Sequence, residues 1–299
     1  MESRAYVDPQ SVGREYDRWT DDGLLEFYWG EHIHHGYYPG GRIAAGFKQA
    51  KHDMIERLLE WGGVREARQV VDVGCGVGGS ARHIARRLGA NVVGVTLSAA
   101  QRERAAQLTA EQGLSERATF QVADALELPF DDGSFDLVWS CESGEHMPDK
   151  ARFLSEMTRV LAPGGRMVVA TWCHRSTPPE LSRREQWRLE RIYDEWALPY
   201  FVSLETYREL AHATGALEYI AVADWTREAS PTWWHQIREG LATLPYLARQ
   251  SPAVWRRTAE DVRGVYHMIR GYQSGLVRYG LLRATKRAPS SVESSEGPS

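Results

Sequence analysis

The stretch VVDVGCGVGGS, from Val70 to Ser80, constrains this 299-residue chain more than any other part of its sequence. Apolar β-formers around an acid predict a buried strand, the glycines predict a tight turn, and the residues after Ser80 predict a helix. Gly74, Gly76 and Gly79 match a G-x-G-x-x-G pattern, which lets the backbone turn sharply and approach a ligand closely. The helix N-terminus offers unpaired N–H groups. The unit therefore predicts a site for a nucleoside-containing cofactor.

Strands and helices alternate after this unit, which predicts a parallel sheet covered by helices. We expect strands over Val70–Val73, Asn91–Val95, Thr119–Val122, Phe135–Ser140, Met167–Thr171, Glu218–Val222 and Val277–Leu282. We expect helices over Ser80–Leu88, Ala99–Gln112, Lys150–Leu161, Pro178–Tyr193, Leu204–Thr214 and Trp233–Ala248, the last of which Pro245 can kink or end early. The fold class is α/β: a Rossmann-like, mostly parallel seven-stranded sheet with an antiparallel edge hairpin and a helical cap over the acceptor.

The chain divides into four predicted segments. Residues 1–52 form an N-terminal helical lid or acceptor segment, and residues 53–174 form the cofactor-binding core. Residues 175–286 hold helical cap insertions and the last sheet strands. Residues 287–299 form a Ser/Pro/Glu-rich tail, a composition typical of disorder.

Composition excludes several classes of protein. The net charge of −4 gives no general attraction to nucleic acid. The three cysteines have no metal-binding spacing, and their odd number favours free thiols in a reducing compartment. No apolar run approaches the roughly 18 residues of a membrane span, and the N-terminus lacks a secretory signal. We therefore expect a cytoplasmic protein, with peripheral membrane contact as an option, or a plastid protein if this is a mature eukaryotic form.

The position of Asp72 narrows the cofactor. It lies two residues before Gly74, where NAD-binding strands are usually apolar. A carboxylate there suits a ligand with a cationic ammonium group, which S-adenosylmethionine has and NAD lacks. Thr96 follows Gly74 by 22 residues, near the spacing of a ribose contact, although an acid is more usual there. Thr96, Leu97 and Gln101 are predicted to contact the ribose of the cofactor. The alternative for Thr96 is a structural role as the N-cap of the next helix.

The end of the third strand is predicted to contact the adenine. Asp124 is placed to accept a hydrogen bond from the exocyclic amine, and Ala125 can supply a neighbouring backbone N–H. A turn aspartate with no ligand is the alternative interpretation.

Four segments in this order resemble the class I S-adenosylmethionine-dependent methyltransferases: VDVGCGVGGS, GVTLSAAQ, VADALELPFDDGSFD and LAPGGR. The resemblance covers roughly Asp53 to Cys173 and implies the class I methyltransferase fold with S-adenosylmethionine as the cofactor. The GVTLSxxQ variant resembles the branch that contains sterol, tocopherol and cyclopropane-forming enzymes.

The segment CESGEHMP follows the fourth strand, and the resemblance implies that it faces the methyl group of the cofactor. A phenol must lose its proton before it becomes a good nucleophile, so a base is needed. His146 is the first candidate because histidine titrates nearest neutral pH. Glu142 is the second candidate and Glu145 the third, although His146 and Glu145 also suit structural roles near a helix start. Tyr16 is a further candidate for contact with the cofactor carboxylate or the acceptor.

The run WGEHIHHGYY, from Trp29 to Tyr38, is the other unusual cluster. Adjacent histidines rarely share one metal ion without a third ligand at suitable spacing, so we predict no metal site. A lid that packs aromatic rings and histidines over the cofactor fits the run better.

The segments WGEHIHHGYY, ESGEHMPDKARFL, ATWCHR, LPYFVSLETY, ADWT and GLVRYGLL resemble the tocopherol C-methyltransferases of photosynthetic organisms over about Arg14 to Lys286. This resemblance implies methylation of γ- or δ-tocopherol ortho to the chromanol hydroxyl. The partner would be a hydrophobic phenolic small molecule, and the oligomeric state stays open.

Three alternatives stay open at this point. An N-methyltransferase for a hydrophobic amine, such as an indole alkaloid, shares the same motifs. An NAD-dependent oxidoreductase is disfavoured by Asp72 and Thr96. A non-catalytic cofactor-binding protein is disfavoured by the polar ESGEH segment.

The predicted cap over the acceptor is rich in tryptophan and tyrosine: Trp225, Trp233, Trp234, Tyr246 and Trp255. Its helix over Trp233–Ala248 can line a groove for a prenyl tail, contact a membrane surface or pack on the domain.

Overall fold

A computed structural model of the protein describes Gly13, Asp17, Thr20 and the residues 24–242 and 252–288. Seven strands within these residues form one sheet in the order β3-β2-β1-β4-β5-β7-β6. The strands are β1 (Gln69–Val73), β2 (Asn91–Thr96), β3 (Ala118–Val122), β4 (Phe135–Cys141), β5 (Leu161–His174), β6 (Leu217–Asp224) and β7 (Val277–Lys286). The first five are parallel, and β7 runs antiparallel to both β5 and β6. The predicted Rossmann-like sheet and its antiparallel edge pair are confirmed.

Helices cover the sheet. They are α1 (Leu24–Trp29), α2 (Phe47–Trp61), α3 (Gly79–Leu88), α4 (Ala99–Glu111), α5 (Lys150–Val160), α6 (Arg183–Glu195), α7 (Leu204–Ala213), α8 (Thr226–Ala229), α9 (Pro231–Ala242) and α10 (Pro252–Gln273). Ser98, Asp149, Ser182 and Ser203 begin four of them as N-caps, each accepting a backbone N–H from the first turn.

The core lies on both faces of the sheet. Successive side chains of a strand point to opposite faces. On β1, Val70 therefore belongs to one buried cluster, and Val71 and Val73 belong to the other; all three have no exposed surface. Burial on both sides explains why β1 reads as an apolar run interrupted only by Asp72.

Several boundaries differ from the prediction. The helix expected over Pro178–Tyr193 spans Arg183–Glu195, and the strand expected over Val277–Leu282 extends to Lys286. The strand expected over Met167–Thr171 begins at Leu161 and takes in the Pro-Gly-Gly turn. The pairing register of β5 against β4 shifts between Phe135 and Leu137. The Pro-Gly-Gly residues of β5 therefore form an irregularity inside the strand, where glycine and proline are tolerated.

Helix α10 was not predicted, because the exposed apolar residues Trp255, Val262 and Tyr266 obscure its one inward-facing stripe. That stripe consists of Val265, Met268, Ile269 and Tyr272. The helix expected over Trp233–Ala248 is described from Pro231 to Ala242. Pro245 and Tyr246 lie outside the described residues, as does the tail from residue 289.

Two expectations about composition can be compared with the structure. Cys75, Cys141 and Cys173 are buried free thiols, as predicted. Across the described ranges, we find no helix with the length and apolar character needed to cross a membrane.

Candidate active site

The main pocket lies beyond the carboxyl ends of β1, β2 and β4, where the strand order reverses and α/β sheets usually bind ligands. Ten of the residues predicted from the sequence line it. They are Asp72, Gly74, Gly76, Gly79, Thr96, Leu97, Gln101, Ala125, Glu142 and His146. The segment from Glu31 to His34 forms part of the wall.

The glycine turn is shaped by close neighbours as well as by room for a ligand. Gly74 has φ +80°, and a Cβ on it would overlap the side chain of Ser143. A Cβ on Gly79 would overlap the backbone oxygen of Glu31 and come within 2.7 Å of the His32 ring. The absence of side chains therefore lets both the ESGEH loop and the N-terminal segment close against the turn.

Asp72 is the buried acid of the pocket. Its carboxylate accepts a hydrogen bond from the Ala81 backbone, while Oδ2 has no partner. Burial raises the pKa of Asp72 to about 7. A buried carboxylate oxygen without a hydrogen-bond partner lowers the stability of the folded protein unless a ligand supplies the missing donor. An ammonium group would supply it.

Thr96 and Gln101 lie side by side at the end of β2. The Thr96 hydroxyl donates to Gln101 Oε1 at 2.8 Å, and both residues are buried in the pocket wall. Ser98, rather than Thr96, begins α4 as its N-cap. Ser98 Oγ also donates to Asp17 at 2.5 Å, which ties part of the N-terminal region to this wall. Hydroxyl and amide groups at this position can hydrogen-bond ribose hydroxyls.

Asp124 does not line the pocket, although its neighbours Ala123 and Ala125 do. Its Oδ1 accepts a hydrogen bond from the Leu126 backbone N–H at 2.8 Å, the pattern of a turn aspartate. Contact of Asp124 with adenine stays a prediction.

His146 lines the pocket in a short 3₁₀ turn, Gly144–His146, directly after β4. Burial, with the nearby charge of Lys150, lowers the pKa of His146 to about 4. The ring is therefore neutral at pH 7, which is the form that can accept a proton.

Glu142 holds the N-terminal segment and the sheet together. Its backbone has φ +55°, a left-handed conformation that is unusual for glutamate. The carboxylate accepts the His35 N–H at 2.5 Å, contacts His35 Nδ1 at 2.8 Å and accepts the Tyr279 hydroxyl at 2.8 Å. Burial raises the pKa of Glu142, but the His35 ring and these hydrogen bonds outweigh it and hold the pKa below its usual value.

Glu145 lies behind the pocket wall and does not line it. Its Oε2 accepts the Thr171 hydroxyl at 2.7 Å. Burial and the charge of Glu142 raise the pKa of Glu145 to about 8, so the carboxyl is protonated at neutral pH. Tyr16, the last predicted acceptor-side residue, lies outside the described residues.

Several wall residues were not predicted as site residues. Glu31, His32, Ile33 and His34 line the pocket, and Lys51 holds them by donating to the His32 backbone oxygen at 2.7 Å. The HIHHGYY run was the signal for this wall, but its partner Lys51 has no sequence signal, because a lysine in a helix is usually exposed.

The donor set fits S-adenosylmethionine. Asp72 suits the ammonium, Thr96 and Gln101 suit the ribose, and the glycine turn lines the pocket between them. By contrast, His34, Cys141 and Glu142 place donor atoms within 4.8 Å of one another, yet the protein already uses them. His34 bonds the His35 oxygen and His32, and Glu142 bonds His35 and Tyr279. Hydrogen bonds to a cation-binding atom compete with the cation, so this cluster does not fit a metal site.

Comparison with known proteins shows the family to which the chain belongs. The family model described as a methyltransferase domain matches residues 71–169. A probable tocopherol O-methyltransferase, chloroplastic, of Oryza sativa subsp. japonica is 43% identical over 93% of this chain and 78% of the relative. A 2-methyl-6-phytyl-1,4-hydroquinone methyltransferase of Synechocystis is 39% identical over 96% of this chain and 91% of the relative.

Among solved structures, the [4+2]-cyclase SpnF is similar in fold. The TM-score is 0.76 at 27% identity, and the match covers 94% of this chain and 97% of the cyclase. A fold shared with a protein named as a cyclase shows that the sheet alone does not decide the reaction.

Proposed function

This chain belongs to the class I S-adenosylmethionine-dependent methyltransferases, is related to tocopherol methyltransferases, and on that basis we propose that it methylates a tocopherol-type chromanol. The proposed acceptors are γ- and δ-tocopherol, methylated on the ring carbon ortho to the hydroxyl, as a step of vitamin E biosynthesis. When bound, the cofactor supplies an electrophilic methyl group on a sulfonium. The residues of this chain must orient the acceptor, exclude water and take up its proton.

The observation that carries the proposal is the position of His146, which lies in the pocket wall directly after β4. A phenol is a weak nucleophile until it loses its proton, and the negative charge then spreads onto the ortho ring carbons. Burial keeps the His146 ring unprotonated at neutral pH, and the negative charge of a bound phenolate would raise its pKa toward the operating pH, so that the ring can take up the phenol proton. We propose His146 as the base. Glu142 already accepts hydrogen bonds from His35 and Tyr279, so we propose that it positions the N-terminal segment over the pocket.

The proposed cofactor contacts follow from the same wall. We propose that Asp72 binds the ammonium and that Thr96, Leu97 and Gln101 border the ribose. We further propose that Ala125, which lines the pocket, and Asp124, its neighbour outside the wall, border the adenine. The segment from Glu31 to His34, within the predicted N-terminal lid, covers the glycine turn and would exclude water from it.

The identity of the acceptor is tested by comparing three candidate substrates under the same conditions. Purified protein with methyl-labelled cofactor is offered γ-tocopherol, a phytyl hydroquinone and an indole alkaloid amine. The proposal predicts label in the tocopherol at a kcat/KM at least about tenfold above the other two. The two relatives named above are named for phenolic substrates rather than amines. Turnover of the amine alone would contradict the proposal and favour an N-methyltransferase.

A hydrophobic acceptor must leave the lipid phase to enter the pocket. We therefore propose that exposed aromatic side chains on the cap helices contact a membrane surface. The side chain of Trp234 on α9 is 53% exposed, and Trp187 on α6 and Trp255 on α10 are exposed as well. Indole rings favour the interface between water and lipid.

Flotation with phosphatidylcholine vesicles tests the contact. The wild type is expected to bind and Trp234→Ser to bind several-fold more weakly, because the indole is the most apolar group offered by α9. Tyr219→Ser, at an exposed aromatic residue on β6, is the matched control. Equal binding of both variants, or no binding by the wild type, would contradict this role.

A further inference from the structure

Lys150 is the first residue of α5, and its side chain is buried. The residue is only 2% exposed, and its ammonium lies 4.8 Å from the centre of the Tyr200 ring. Lysines are almost never fully buried unless their charge has partners. A cation in the first turn of a helix also meets the positive end of the helix dipole. A lysine buried at this position therefore needs a compensating interaction.

The short turn after β4 supplies this interaction. Lys150 Nζ donates to the backbone oxygens of Gly144 at 2.7 Å, Glu145 at 3.1 Å and Met147 at 2.6 Å. An ammonium has three N–H groups, so these three hydrogen bonds use all of them. Two of the oxygens belong to the residues before His146, and the third belongs to the residue after it. The ammonium therefore holds the backbone on both sides of the His146 ring.

Two side-chain contacts hold the same turn on the sheet. Ser143 Oγ donates to the Val73 backbone oxygen at 2.9 Å, which ties the start of the turn to β1. Glu145 Oε2 accepts the Thr171 hydroxyl at 2.7 Å, which ties the turn to β5. Lys150 adds the contact from α5, and this contact acts on the backbone of the turn at three points.

The position of the His146 ring matters for the proposed reaction. A base must come within about 2.6–3.2 Å of the group whose proton it takes up, and a displacement of about 1 Å can cost on the order of 10²-fold in rate. The turn has backbone hydrogen bonds of its own, from the His146 N–H to the Ser143 oxygen at 3.0 Å and from the Met147 N–H to the Gly144 oxygen at 3.2 Å. Hydrogen bonds of 3₁₀ geometry are weak, so a contact from outside the turn is needed to hold the ring in place.

We propose that Lys150 is the positioning residue of the proposed base, because its ammonium fixes the backbone that carries the His146 ring. Lys150 does not line the pocket, so it acts on the reaction through the turn. A residue that is unfavourable for its own helix is expected where function requires it. The proposal rests on the phenol methylation proposed above, in which His146 takes up the phenol proton.

The charge of Lys150 acts on the same ring. After burial, it is the next cause of the lowered pKa of His146, and the charge of Glu142 opposes it. Burial lowers the pKa of Lys150 itself to about 7, although Glu145 and Cys173 act to raise it. Lys150 is therefore an ammonium at the lower pH values where the His146 ring takes up a proton from water. Removal of this charge should move the titration of His146 to a higher pH, which loss of a purely structural contact would not do.

Lys150→Met tests both effects, because it removes the three donors and the charge but keeps an unbranched side chain. The amide protons of His146 and Met147 are expected to exchange with deuterium at least about tenfold faster than in the wild type. At pH 5.5, the imidazole ¹⁵N signals of His146, assigned with the His146→Ala variant, should show a larger protonated fraction. The kcat for γ-tocopherol should fall about 10- to 100-fold, while the affinity for S-adenosylhomocysteine stays within about threefold.

Lys286→Met is the matched control. Lys286 Nζ also donates to two backbone oxygens, those of Arg159 and Leu161, but at the opposite end of β5 from the pocket. This variant should match the wild type in kcat and in the titration of His146. Lys150→Gln keeps an amide donor without the charge, so it should restore part of the amide protection and leave the His146 titration displaced as in Lys150→Met.

Two results would overturn the role of Lys150. One is exchange of the His146 and Met147 amides at the wild-type rate in both Lys150 variants. The other is an unchanged titration of His146 together with equal losses of kcat and of affinity for S-adenosylhomocysteine, which marks a structural role. If Lys150→Met does not fold, Lys150→Gln is measured in the same way. Amide exchange and the ¹⁵N spectrum need no acceptor, so they still test the hold of Lys150 on the turn if the wild type methylates no phenol and the proposed function fails.

Discussion

At the scale of single residues, burial favours the uncharged form of two titratable groups in the site. Burial raises the pKa of Asp72 to about 7 and lowers that of His146 to about 4. Asp72 becomes a carboxylate only when the pH rises or a cation binds, and His146 is unprotonated at neutral pH. Groups whose environments displace their pKa values in this way are typical of functional sites.

Asp72→Asn tests the ammonium contact. Loss of the carboxylate removes a charge-assisted hydrogen bond worth about 1.5–3 kcal/mol, so S-adenosylhomocysteine should bind roughly 10- to 100-fold more weakly at pH 8. In the wild type, affinity should rise as the pH passes through about 7, because Asp72 ionises there. The variant should lose that dependence, and titration calorimetry from pH 6 to pH 8.5 measures both.

The same substitution should stabilise the empty protein. The folded-state pKa of Asp72 is raised above the ordinary 3.8, so the folded state holds an extra proton between about pH 4 and pH 7. Folding stability from this group therefore falls as the pH rises through that window. Above pH 7, the Tm of Asp72→Asn should exceed that of the wild type by a few degrees. An unchanged or lower Tm would show that the carboxylate is not strained by burial.

His146→Ala tests the base. Removal of a positioned base usually costs on the order of 10²- to 10⁴-fold in rate, so kcat should fall by at least about 10²-fold. The affinity for S-adenosylhomocysteine should stay within about twofold, since His146 lies on the acceptor side. His212→Ala, at an exposed position on α7, serves as the control and should match the wild type. A kcat unchanged in His146→Ala would remove the assigned role.

At the scale of elements, the N-terminal segment is as much part of the site as the sheet. The segment from Glu31 to His34 presses on the first turn of α3, and Gly79 leaves room for it. Glu142 reaches across from β4 to hold His35. Strand ends and lid therefore form one wall, which explains why a side chain at Gly74 or Gly79 would clash with a neighbouring segment.

Gly79→Ala tests this contact. The added methyl group would overlap the Glu31 backbone oxygen, so the segment must shift. The strain should cost about 1–3 kcal/mol and weaken S-adenosylhomocysteine binding, with faster hydrogen exchange in residues 31–35 as the direct measurement. Gly240→Ala is the matched control, because nothing lies within 4 Å of its added Cβ. Protection equal to the wild type in Gly79→Ala would show that the segment is not braced there.

The observed helices and strands show which parts of the secondary structure could be predicted from the sequence. Short buried strands such as β1 and β2 were predicted within one residue, because both are short runs rich in β-branched valine, which favours a strand over a helix. The start of β5 was missed because Pro-Gly-Gly by itself indicates a turn. In the structure, these three residues form an irregularity inside the strand instead. Helix α10 was missed because its exposed rings hide the periodic stripe.

Within the site, residues near the glycine motif were predicted and those brought by long-range packing were not. Asp72 precedes the motif, Thr96 and Gln101 follow it, and the pocket wall contains all three. The pairing of His35 with Glu142 joins residues 107 positions apart. No local pattern encodes such a contact, because it depends on how the N-terminal segment packs on the sheet.

At the scale of the whole molecule, ligand binding should act on stability, because the pocket joins the strand ends, α3 and α4 and the N-terminal segment. A ligand at 100 times its Kd stabilises the folded state by about 2.7 kcal/mol. For a chain of this size we expect a rise in Tm of about 5–10 °C with S-adenosylhomocysteine. NADH at the same concentration is the control, and an equal rise with NADH would contradict the cofactor preference.

The central claim, methylation of a chromanol ring carbon in this pocket, is tested most directly by the position of the transferred methyl group. Protein, γ-tocopherol and cofactor carrying a ¹³C-methyl group are incubated, and the product is purified and read by ¹³C NMR. We predict one labelled aryl-methyl signal that coincides with α-tocopherol and is absent with His146→Ala. A labelled methoxy signal, or no labelled tocopherol while an amine is methylated, would contradict the account.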